Sequence, residues 1–309
     1  MSSPTISIIT PCYNSADTLK ILLEELPKQT VWERVIEYII VGYTDDGVTE
    51  ELLRKNKDPK LKLVFLEENH NPAVKRNLGA KMAKGDIICF IDADAYPAKD
   101  WIETIINAYE SGIKVGGGSY SIPEFQSKKS IAICQYFIEF SQFMPFGKVR
   151  RTPLVPTCNL FCDRKLFLNV GGIPEIRASE DSLFGLKVNE YEPMYFIPKA
   201  RVFHIFREDR QKYLSNQFML GKYVFVYRKY HYNNIYFKPF LFYIMLIPFA
   251  LFKMLRIFVR VCKLGKGYPK LFFKSFGLFI RGIIVWFKGF IQGFKEYDQL
   301  ILELSEEKK

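Results

Sequence analysis

Histidine and cysteine are scarce in this chain of 309 residues, which limits the kinds of site that it can build. There are three histidines and six cysteines, and the cysteines are scattered through apolar surroundings such as IICFI. Cys158 and Cys162 form the one close pair, and no second pair completes a zinc site. The sequence therefore predicts reduced core cysteines and argues against a disulfide framework.

Acidic residues are missing from a long stretch near the C-terminus. Residues 231–295 contain eleven basic residues, no acidic one and 13 of the 28 phenylalanines. Residues 231–309 carry +8 of the net charge of +11, so the composition predicts two domains, 1–230 and 231–309. A basic, aromatic stretch favours an anionic membrane surface as partner. Nucleic acid is not expected, because the long apolar flanks would then be left in water.

The second domain begins with a long apolar segment. Residues 235–252 are apolar apart from Lys238. Eighteen residues rise about 27 Å as a helix, just short of a hydrocarbon core of about 30 Å, so a spanning and an inserted helix both stay open. Basic residues follow on single helical faces: Lys253, Arg256, Arg260 and Lys263, then, after GKGYP, Lys270, Lys274, Arg281, Lys288 and Lys295. The second series predicts an interfacial amphipathic helix; the alternative is a pair of helices packed on the soluble domain or on a partner.

The N-terminal segment also lacks the pattern of a signal peptide. The opening MSSPTISIIT has neither a basic start nor a long apolar core. Together with the reduced cysteines, this predicts a protein of the cell membrane whose first domain faces the cytoplasm.

The first hundred residues alternate between short apolar runs and helical patterns. The runs lie at 5–10, 36–41, 61–66 and 86–91, and helical patterns lie between them at 16–26, 49–57 and 72–84. Continuous apolar runs are typical of strands buried on both faces. The predicted fold class is therefore α/β, with a doubly wound, mostly parallel sheet, followed by C-terminal helices. Ligands of such sheets bind beyond the carboxyl ends of the strands.

Two carboxylates follow the fourth apolar run directly. Asp92 and Asp94 are spaced i, i+2 at a predicted strand end. Such a pair can share a divalent cation with a diphosphate, because hard cations prefer oxygen ligands and keep substrate oxygens in their shell. A D-x-D alone is common and is often a solvated turn, but its place at the mouth of an α/β sheet favours a Mg²⁺ or Mn²⁺ site.

Three segments in order resemble the GT-A catalytic domain of family 2 glycosyltransferases. They are TISIITPCYNSADTLKILLEEL, NPAVKRNLGAKMAKGDIICFIDADAYPAKDW and TCNLFCDRKLFLNVGGIPEIRASEDSLFGLKV, and the resemblance covers roughly residues 4–230. It implies a GT-A-like sheet and an inverting, metal-dependent enzyme that moves a sugar from a nucleotide diphosphate donor to an acceptor hydroxyl.

The resemblance also implies roles for residues on the donor side. Asp94 is the more direct metal ligand, and Asp92 lies nearer the ribose or a metal-bound water. His204 stands where related enzymes often have a histidine at the metal or diphosphate, although its apolar neighbours equally suit a core histidine. The other residues implied to bind the nucleotide-sugar are Pro11, Tyr13, Asn14, Lys75, Arg76 and Asn77.

The second strand end departs from the family pattern. Members commonly have an aspartate pair directly after strand two, whereas this chain has VGYTDDG, with Asp45 and Asp46 arriving about three residues late. Either acid could contact the base or ribose through a longer loop, or Gly47 could simply mark a turn.

An acidic pair, Glu180 and Asp181, matches the family's acids beside the acceptor. Inversion by single displacement needs a carboxylate opposite the leaving group to take the acceptor's proton. The resemblance implies Asp181 as this base and Glu180 as its support, while helix capping is the structural alternative.

The acceptor is predicted from location alone as a glycan or a polyprenyl-linked saccharide.

Two other classes of function compete with the transferase. A nucleotidyltransferase would need a glycine-rich, basic loop after strand one, which TPCYN is not. A nucleotide-sugar binder or scaffold would have the same donor site without turnover.

Overall fold

The computed structural model describes residues 3–176, 179–232 and 238–300, except for the side chain of Tyr232. The chain folds into two compact units. The first consists of the chain up to Ser121 together with Gly147–His204, and the second of Ile122–Phe146 together with the chain from Ile205 onward. The sequence-based boundary at residue 230 concerns the extent of the catalytic domain and stays a prediction.

The first unit opens with the predicted alternation of strands and helices. Each of the four apolar runs is a strand, and each helical pattern between them is a helix. In order these are β1 (Ile6–Tyr13), α1 (Ala16–Glu25), β2 (Val35–Tyr43), α2 (Val48–Lys55), β3 (Leu61–Phe65), α3 (Pro72–Met82) and β4 (Ile87–Ile91). Helix α3 begins as expected, with Pro72 in its first turn and the Asn71 side chain accepting the amide of Val74.

The rest of the first unit contains short strands and helices. These are β5 (Ala95–Pro97), α4 (Trp101–Glu110), β6 (Val115–Ser121), β7 (Arg150–Arg151), β8 (Asn159–Asp163), α6 (Arg164–Asn169), α7 (Glu180–Val188) and β9 (Tyr195–His204). Together with β1–β4, the described strands form one nine-stranded sheet in the order β3-β2-β1-β4-β8-β6-β9-β5, with β7 paired to β9.

Strand direction changes at the middle of this sheet. The pairs β1–β2, β2–β3 and β1–β4 are parallel, whereas β8 runs antiparallel to β4. Beyond β8, the β6–β9 pair is parallel and β5 runs antiparallel to β9. All five residues of β4 are buried, which is why its sequence shows no polar alternation. The carboxyl ends of β1, β2 and β4 therefore meet at one edge of the sheet, as predicted.

The second unit is helical in its described part. It contains α5 (Ser130–Phe140), α8 (Arg210–Tyr232), α9 (Pro239–Lys263), α10 (Gly267–Lys274) and α11 (Phe276–Lys295). The predicted break at GKGYP is present, but the basic series from Lys270 to Lys295 lies on two helices rather than one. Ser275 separates them, and Phe272 and Phe279 on either side of it pack with ring centroids 4.8 Å apart.

Two of these helices are long and apolar enough to cross a membrane. They are α9, with a mean hydropathy of 1.9 in its most apolar window, and α11, with 1.3. The apolar segment predicted at 235–252 falls largely within α9, while residues 235–237 lie outside the described residues.

Candidate functional site

The ends of β1 and β2 come together through polar and aromatic contacts. The Nδ2 group of Asn14 donates to the Asp45 carboxylate, and the Asp45 amide donates to Oδ1 of Asn14 over 3.1 Å. Tyr13, which is 46 % exposed, stacks on Tyr43 with ring centroids 6.2 Å apart. The structure thus joins the two loops predicted to bind the nucleotide, and leaves an aromatic face open beside them. Pro11 lies two residues before Tyr13, within β1.

Asp46 has a structural partner of its own. Its carboxylate accepts the backbone amide of Thr49 over 2.9 Å and the Thr49 hydroxyl over 2.8 Å. Both bonds stabilise the first turn of α2, where an acidic side chain also suits the helix dipole. Of the two late aspartates, Asp45 is therefore the one that faces the β1 loop.

Lys75 is held beneath the β1 loop. It is 2 % exposed, and its Nζ donates to the carbonyl of Cys12 over 2.9 Å and to Oδ1 of Asn69 over 2.8 Å. Burial lowers the pKa of this lysine. Its ammonium lies 5.7 Å from the centre of the Tyr13 ring. The cation therefore orders the loop that carries Tyr13.

Asn77 bonds to the loop that leads toward the acidic pair. Its Nδ2 donates to the carbonyl of Ile173 and to Glu175, and its Oδ1 accepts the amide of Ile173 over 2.9 Å. Gly172 allows this contact, because it has a φ of +75° and a Cβ there would lie 2.6 Å from the Asn77 oxygen. Sequence reasoning assigned Asn77 to the nucleotide-sugar and missed these bonds, which only the paired loop reveals.

Arg76 joins the two acidic parts of the site. It is 3 % exposed, and its Nη2 donates to Oδ1 of Asp92 over 2.5 Å, while its Nη1 lies 3.7 Å from Oε1 of Glu180. Burial opposes its charge, but the two carboxylates raise the pKa of Arg76. Its Nε and Nη1 atoms have no hydrogen-bond partner among the described residues. One buried cation therefore holds the D-x-D next to the acidic pair.

Asp94 lies next to His204 because of strand pairing. Asp94 directly precedes β5, and the first residue of β5, Ala95, pairs with His204 at the end of β9. Nε2 of the histidine consequently lies 3.6 Å from Oδ1 of Asp94. Of the two sequence-based readings of His204, this geometry favours the metal-site reading, and the assignment stays a prediction.

The side chains near the D-x-D supply only part of the ligand shell of a divalent cation. Within the described residues, no group of three or more His, Cys, Asp or Glu side chains is arranged to hold a metal ion. A carboxylate oxygen and an imidazole nitrogen are ligands that Mn²⁺ accepts, and oxygens of a diphosphate or water would complete the shell. Asp94 and His204 therefore fit a cation that the substrate helps to bind, with Asp92 held beside them by Arg76.

The acidic pair begins helix α7. Ser179 precedes it in the left-handed region, with a φ of +67°. Oδ1 of Asp181 accepts the amide of Ser182 over 2.6 Å, so one of its two oxygens is left for another partner. Burial raises the pKa of Asp181, and burial together with the neighbouring Asp181 raises the pKa of Glu180 to about 7. Two acids whose pKa values burial raises, one of them next to Arg76, are typical of a catalytic site.

Glu180 should make the protein less stable as the pH rises. Its ordinary pKa is 4.5, so between about pH 4.5 and 7 the folded chain binds more protons than the unfolded chain. The free energy of unfolding is therefore expected to fall by about 2 kcal/mol from pH 5 to pH 8. Glu180→Gln should remove most of this fall in urea titrations, and Glu110→Gln, at an exposed position, should keep it. An unchanged pH slope in Glu180→Gln would contradict the assignment.

The match to a family model agrees with this geometry. The model described as glycosyl transferase family 2 matches residues 7–167, which include the D-x-D and nearly all of the β1–β4 region. The chain belongs to glycosyl transferase family 2.

Two curated relatives illustrate the similarity. The chain is 24 % identical over 174 residues to glycosyltransferase AglE of Haloferax volcanii, covering 55 % of this chain and 56 % of that protein. It is 31 % identical over 150 residues to a glucosyl-dolichyl phosphate glucuronosyltransferase of the same organism, covering 44 % and 45 %. The chain thus spans about half the length of these relatives.

A solved structure confirms the GT-A-like fold class. A mannosyltransferase from Pyrobaculum calidifontis, in complex with GDP-Man and Mn²⁺, matches with a TM-score of 0.62 at 17 % identity. The match covers 96 % of this family 2 chain and 88 % of that one, so it includes the helices that follow the sheet.

Proposed function

We propose that this family 2 glycosyltransferase inverts the anomeric centre of a nucleotide diphosphate sugar as it moves the sugar to an acceptor hydroxyl. The observation that carries the proposal is the Arg76 contact between Asp92 and Glu180. Asp92 is expected on the donor side and Glu180 on the acceptor side, and both contact the side chain of Arg76.

On this proposal, the donor binds along the edge formed by the ends of β1, β2 and β4. Tyr13 offers a flat face to the base, and the Asn14–Asp45 pair offers an amide and a carboxylate to the base or ribose. Asp94 and His204 would hold Mg²⁺ or Mn²⁺, with Asp92 beside them. When bound, such a cation neutralises charge on the departing diphosphate. The Mn²⁺ and GDP-Man of the Pyrobaculum structure support this choice of ligands.

Asp181 is the proposed base. As the acceptor oxygen bonds to the anomeric carbon, the bond from that carbon to the diphosphate oxygen breaks, and the hydroxyl proton passes to the free carboxylate oxygen of Asp181. The bond from Ser182 fixes the orientation of this carboxylate. The raised pKa makes Asp181 a stronger base than an exposed aspartate.

The proposed acceptor is a lipid-linked saccharide or a growing cell-surface glycan. The similarity to a glucosyl-dolichyl phosphate glucuronosyltransferase and the two apolar helices α9 and α11 support an acceptor at a membrane. We place the enzyme at the cell membrane, with the first unit on the cytoplasmic side, where nucleotide-sugars would reach it.

Thermal stabilisation by candidate donors tests the donor site. With Mn²⁺ present, one of the UDP-, GDP- or dTDP-sugars should raise Tm, because a ligand that binds only the folded chain stabilises it. Asp94→Ala should weaken that binding by roughly tenfold or more, equivalent to about 1.4 kcal/mol. Asp100→Ala is the matched control, since Asp100 is exposed and caps α4 without a side-chain hydrogen bond. Equal weakening in both variants would remove Asp94 from the site.

Turnover separates the enzyme from a binder or scaffold. In detergent, the wild-type chain with the stabilising donor should release free nucleotide diphosphate when an acceptor is supplied. Binding without any release, across lipid-linked and soluble saccharide acceptors, would favour the scaffold. Release of pyrophosphate from a nucleoside triphosphate and a sugar phosphate would instead identify a nucleotidyltransferase.

A further inference from the structure

Helices α8 and α11 lie side by side in the same direction. Near their N-terminal ends, the hydroxyl of Tyr213 donates to the carbonyl of Leu278 over 3.4 Å. Near their C-terminal ends, the ring of Phe225 meets that of Tyr297, just beyond α11, at 6.3 Å. The two helices are therefore in contact over most of the length of α11.

Glycines bring the two backbones close together. A Cβ on Gly221 would lie 1.9 Å from the carbonyl oxygen of Trp286, and one on Gly289 would lie 2.0 Å from that of Phe218. Neither helix can move away from the other without losing this packing, so the two move as one body relative to any membrane.

Helix α8 is too polar to enter a bilayer. Its middle lysine, Lys222, pairs with Glu296, which directly follows α11, over 2.5 Å. Charged groups at the bilayer centre are costly, and a helix with several of them does not insert. The charged residues of α8 are Arg210, Lys212, Lys222, Arg228 and Lys229. Because α11 is packed along most of its length on α8, α11 does not span the hydrocarbon core.

The contact between α8 and α11 limits how α9 can lie relative to a membrane. Among the described residues, it is the one long apolar helix between α8 and α11 in the chain order. A single crossing by α9 would put α11 on the opposite side of the membrane from α8. A single crossing by α9 is therefore incompatible with the contact between α8 and α11.

One face of α9 is nevertheless apolar and exposed. Phe240, Ile247, Leu251 and Leu255 are 78 %, 72 %, 62 % and 60 % exposed, and Ile244 lies between them at 53 %. Their spacing of 4, 3, 4 and 4 residues places them in one stripe along the helix. We call these five residues the α9 stripe. Exposed apolar stripes of this length mark an interaction surface.

The opposite face of α9 contacts its own unit. The Nζ of Lys253 lies 3.8 Å from the centre of the Trp286 ring, and Nη1 of Arg260 donates to Oγ of Ser141 over 3.3 Å. Phe242 and Ile257 are 3 % and 2 % exposed. The α9 helix therefore lies along the unit with its apolar stripe turned outward, and Tyr243, Phe252 and Val259 are exposed beside the stripe.

Charge decides which partner fits the stripe. Lys238, Arg256, Lys263 and Lys266 lie on or next to α9, and acidic residues are missing from 231–295. A twofold contact with a second copy would bring these cations together, whereas anionic headgroups would attract them. We propose that α9 lies flat in one leaflet of an anionic bilayer, with its stripe in the acyl region and these cations among the headgroups.

The inference rests on the proposed membrane association and not on the transferase reaction. Vesicle flotation of the full chain tests it, with phosphatidylcholine alone and with phosphatidylcholine that contains phosphatidylglycerol. Ile247→Gln with Leu251→Gln should lower the partition coefficient at least tenfold on the anionic vesicles. The control is Val48→Gln with Leu168→Gln, which removes two exposed apolar side chains from helices of the first unit. Activity toward a soluble acceptor in detergent should be the same in both double variants, so failed binding and failed catalysis are separate results.

Flotation and oligomeric state of the two double variants distinguish a lipid contact from a contact with a second copy. Equal flotation of the two double variants would overturn the stripe as the lipid contact. Loss of a dimer in Ile247→Gln with Leu251→Gln, without any change in flotation, would assign the stripe to a second copy instead.

Labelling from one side distinguishes a flat helix from a crossing one. In the Cys262→Ser background, the five remaining cysteines are buried. Single cysteines at Lys238→Cys, Lys266→Cys and Gln211→Cys then mark the two ends of α9 and helix α8. In sealed vesicles prepared from expressing cells, all three should react with a membrane-impermeant maleimide from the same side. Labelling of Lys238→Cys and Lys266→Cys from opposite sides would overturn the inference.

Discussion

Asp181→Asn should lower kcat for sugar transfer by about 10²- to 10⁴-fold, the contribution typical of a positioned general base. The amide has the shape of the carboxylate and can still accept the Ser182 amide, but it cannot take the proton of the acceptor hydroxyl. Donor binding should stay within about twofold, because the role proposed for Asp181 is on the acceptor side. Single-turnover rates and donor Kd in Mn²⁺ are the two measurements.

A capping aspartate provides the control for this prediction. Asp209 accepts the amide of Lys212 over 2.7 Å at the start of α8, so, like Asp181, it accepts a backbone amide at the start of a helix. Asp209→Asn should leave kcat within about twofold of wild type. If Asp181→Asn keeps more than about a tenth of the wild-type rate, Asp181 is a capping residue and the base lies elsewhere.

Arg76→Met should destabilise the protein by about 3–5 kcal/mol, the usual cost of removing one partner from a buried ion pair. The substitution leaves Asp92 and Glu180 without their shared cation, and Glu180 is a group that burial already disfavours as an anion. The loss should appear in urea titrations at pH 8. It should be smaller at pH 5, where protonation removes the charge of Glu180.

An exposed arginine gives the matched comparison. Arg54 pairs with Glu50 over 2.7 Å on α2, but its side chain is 62 % exposed. Arg54→Met should cost no more than about 1 kcal/mol, since surface pairs contribute little. Adding Asp92→Asn and Glu180→Gln to Arg76→Met should recover part of the lost stability, because no unpaired carboxylate then remains. Equal costs for Arg76→Met and Arg54→Met would show that Arg76 holds neither acid in the folded chain.

The elements of the first hundred residues could be predicted because local sequence determines them. A run such as IICFI has no polar position, so it suits only a strand covered on both faces, and the Asn71–Pro72 pair marks the start of α3. The positions of Asp92 and Asp94 followed from the same pattern. The direction of β8 and the pairing of β9 could not be predicted, because they depend on contacts between residues far apart in sequence.

Residue roles within the site were less predictable than its location. Asp45 and Asp46 are adjacent and chemically alike, yet Asp46 bonds to Thr49 in the first turn of α2 and Asp45 bonds to Asn14, a difference set by loop geometry. Likewise Arg76 and Asn77 are neighbours on α3, but one bonds to Asp92 and the other to the Ile173 loop. Only the three-dimensional partners separate such pairs.

The joining of β5 to β9 implies an order of events during protein synthesis. Asp94 and His204 are 110 positions apart (204 − 94), and they meet only because Ala95 pairs with His204. A chain still on the ribosome that has emerged only as far as β8 already contains its D-x-D but lacks the histidine. If Asp94 and His204 hold the proposed cation, the nascent chain is expected to gain that site, and with it tight donor binding, only after β9 has emerged.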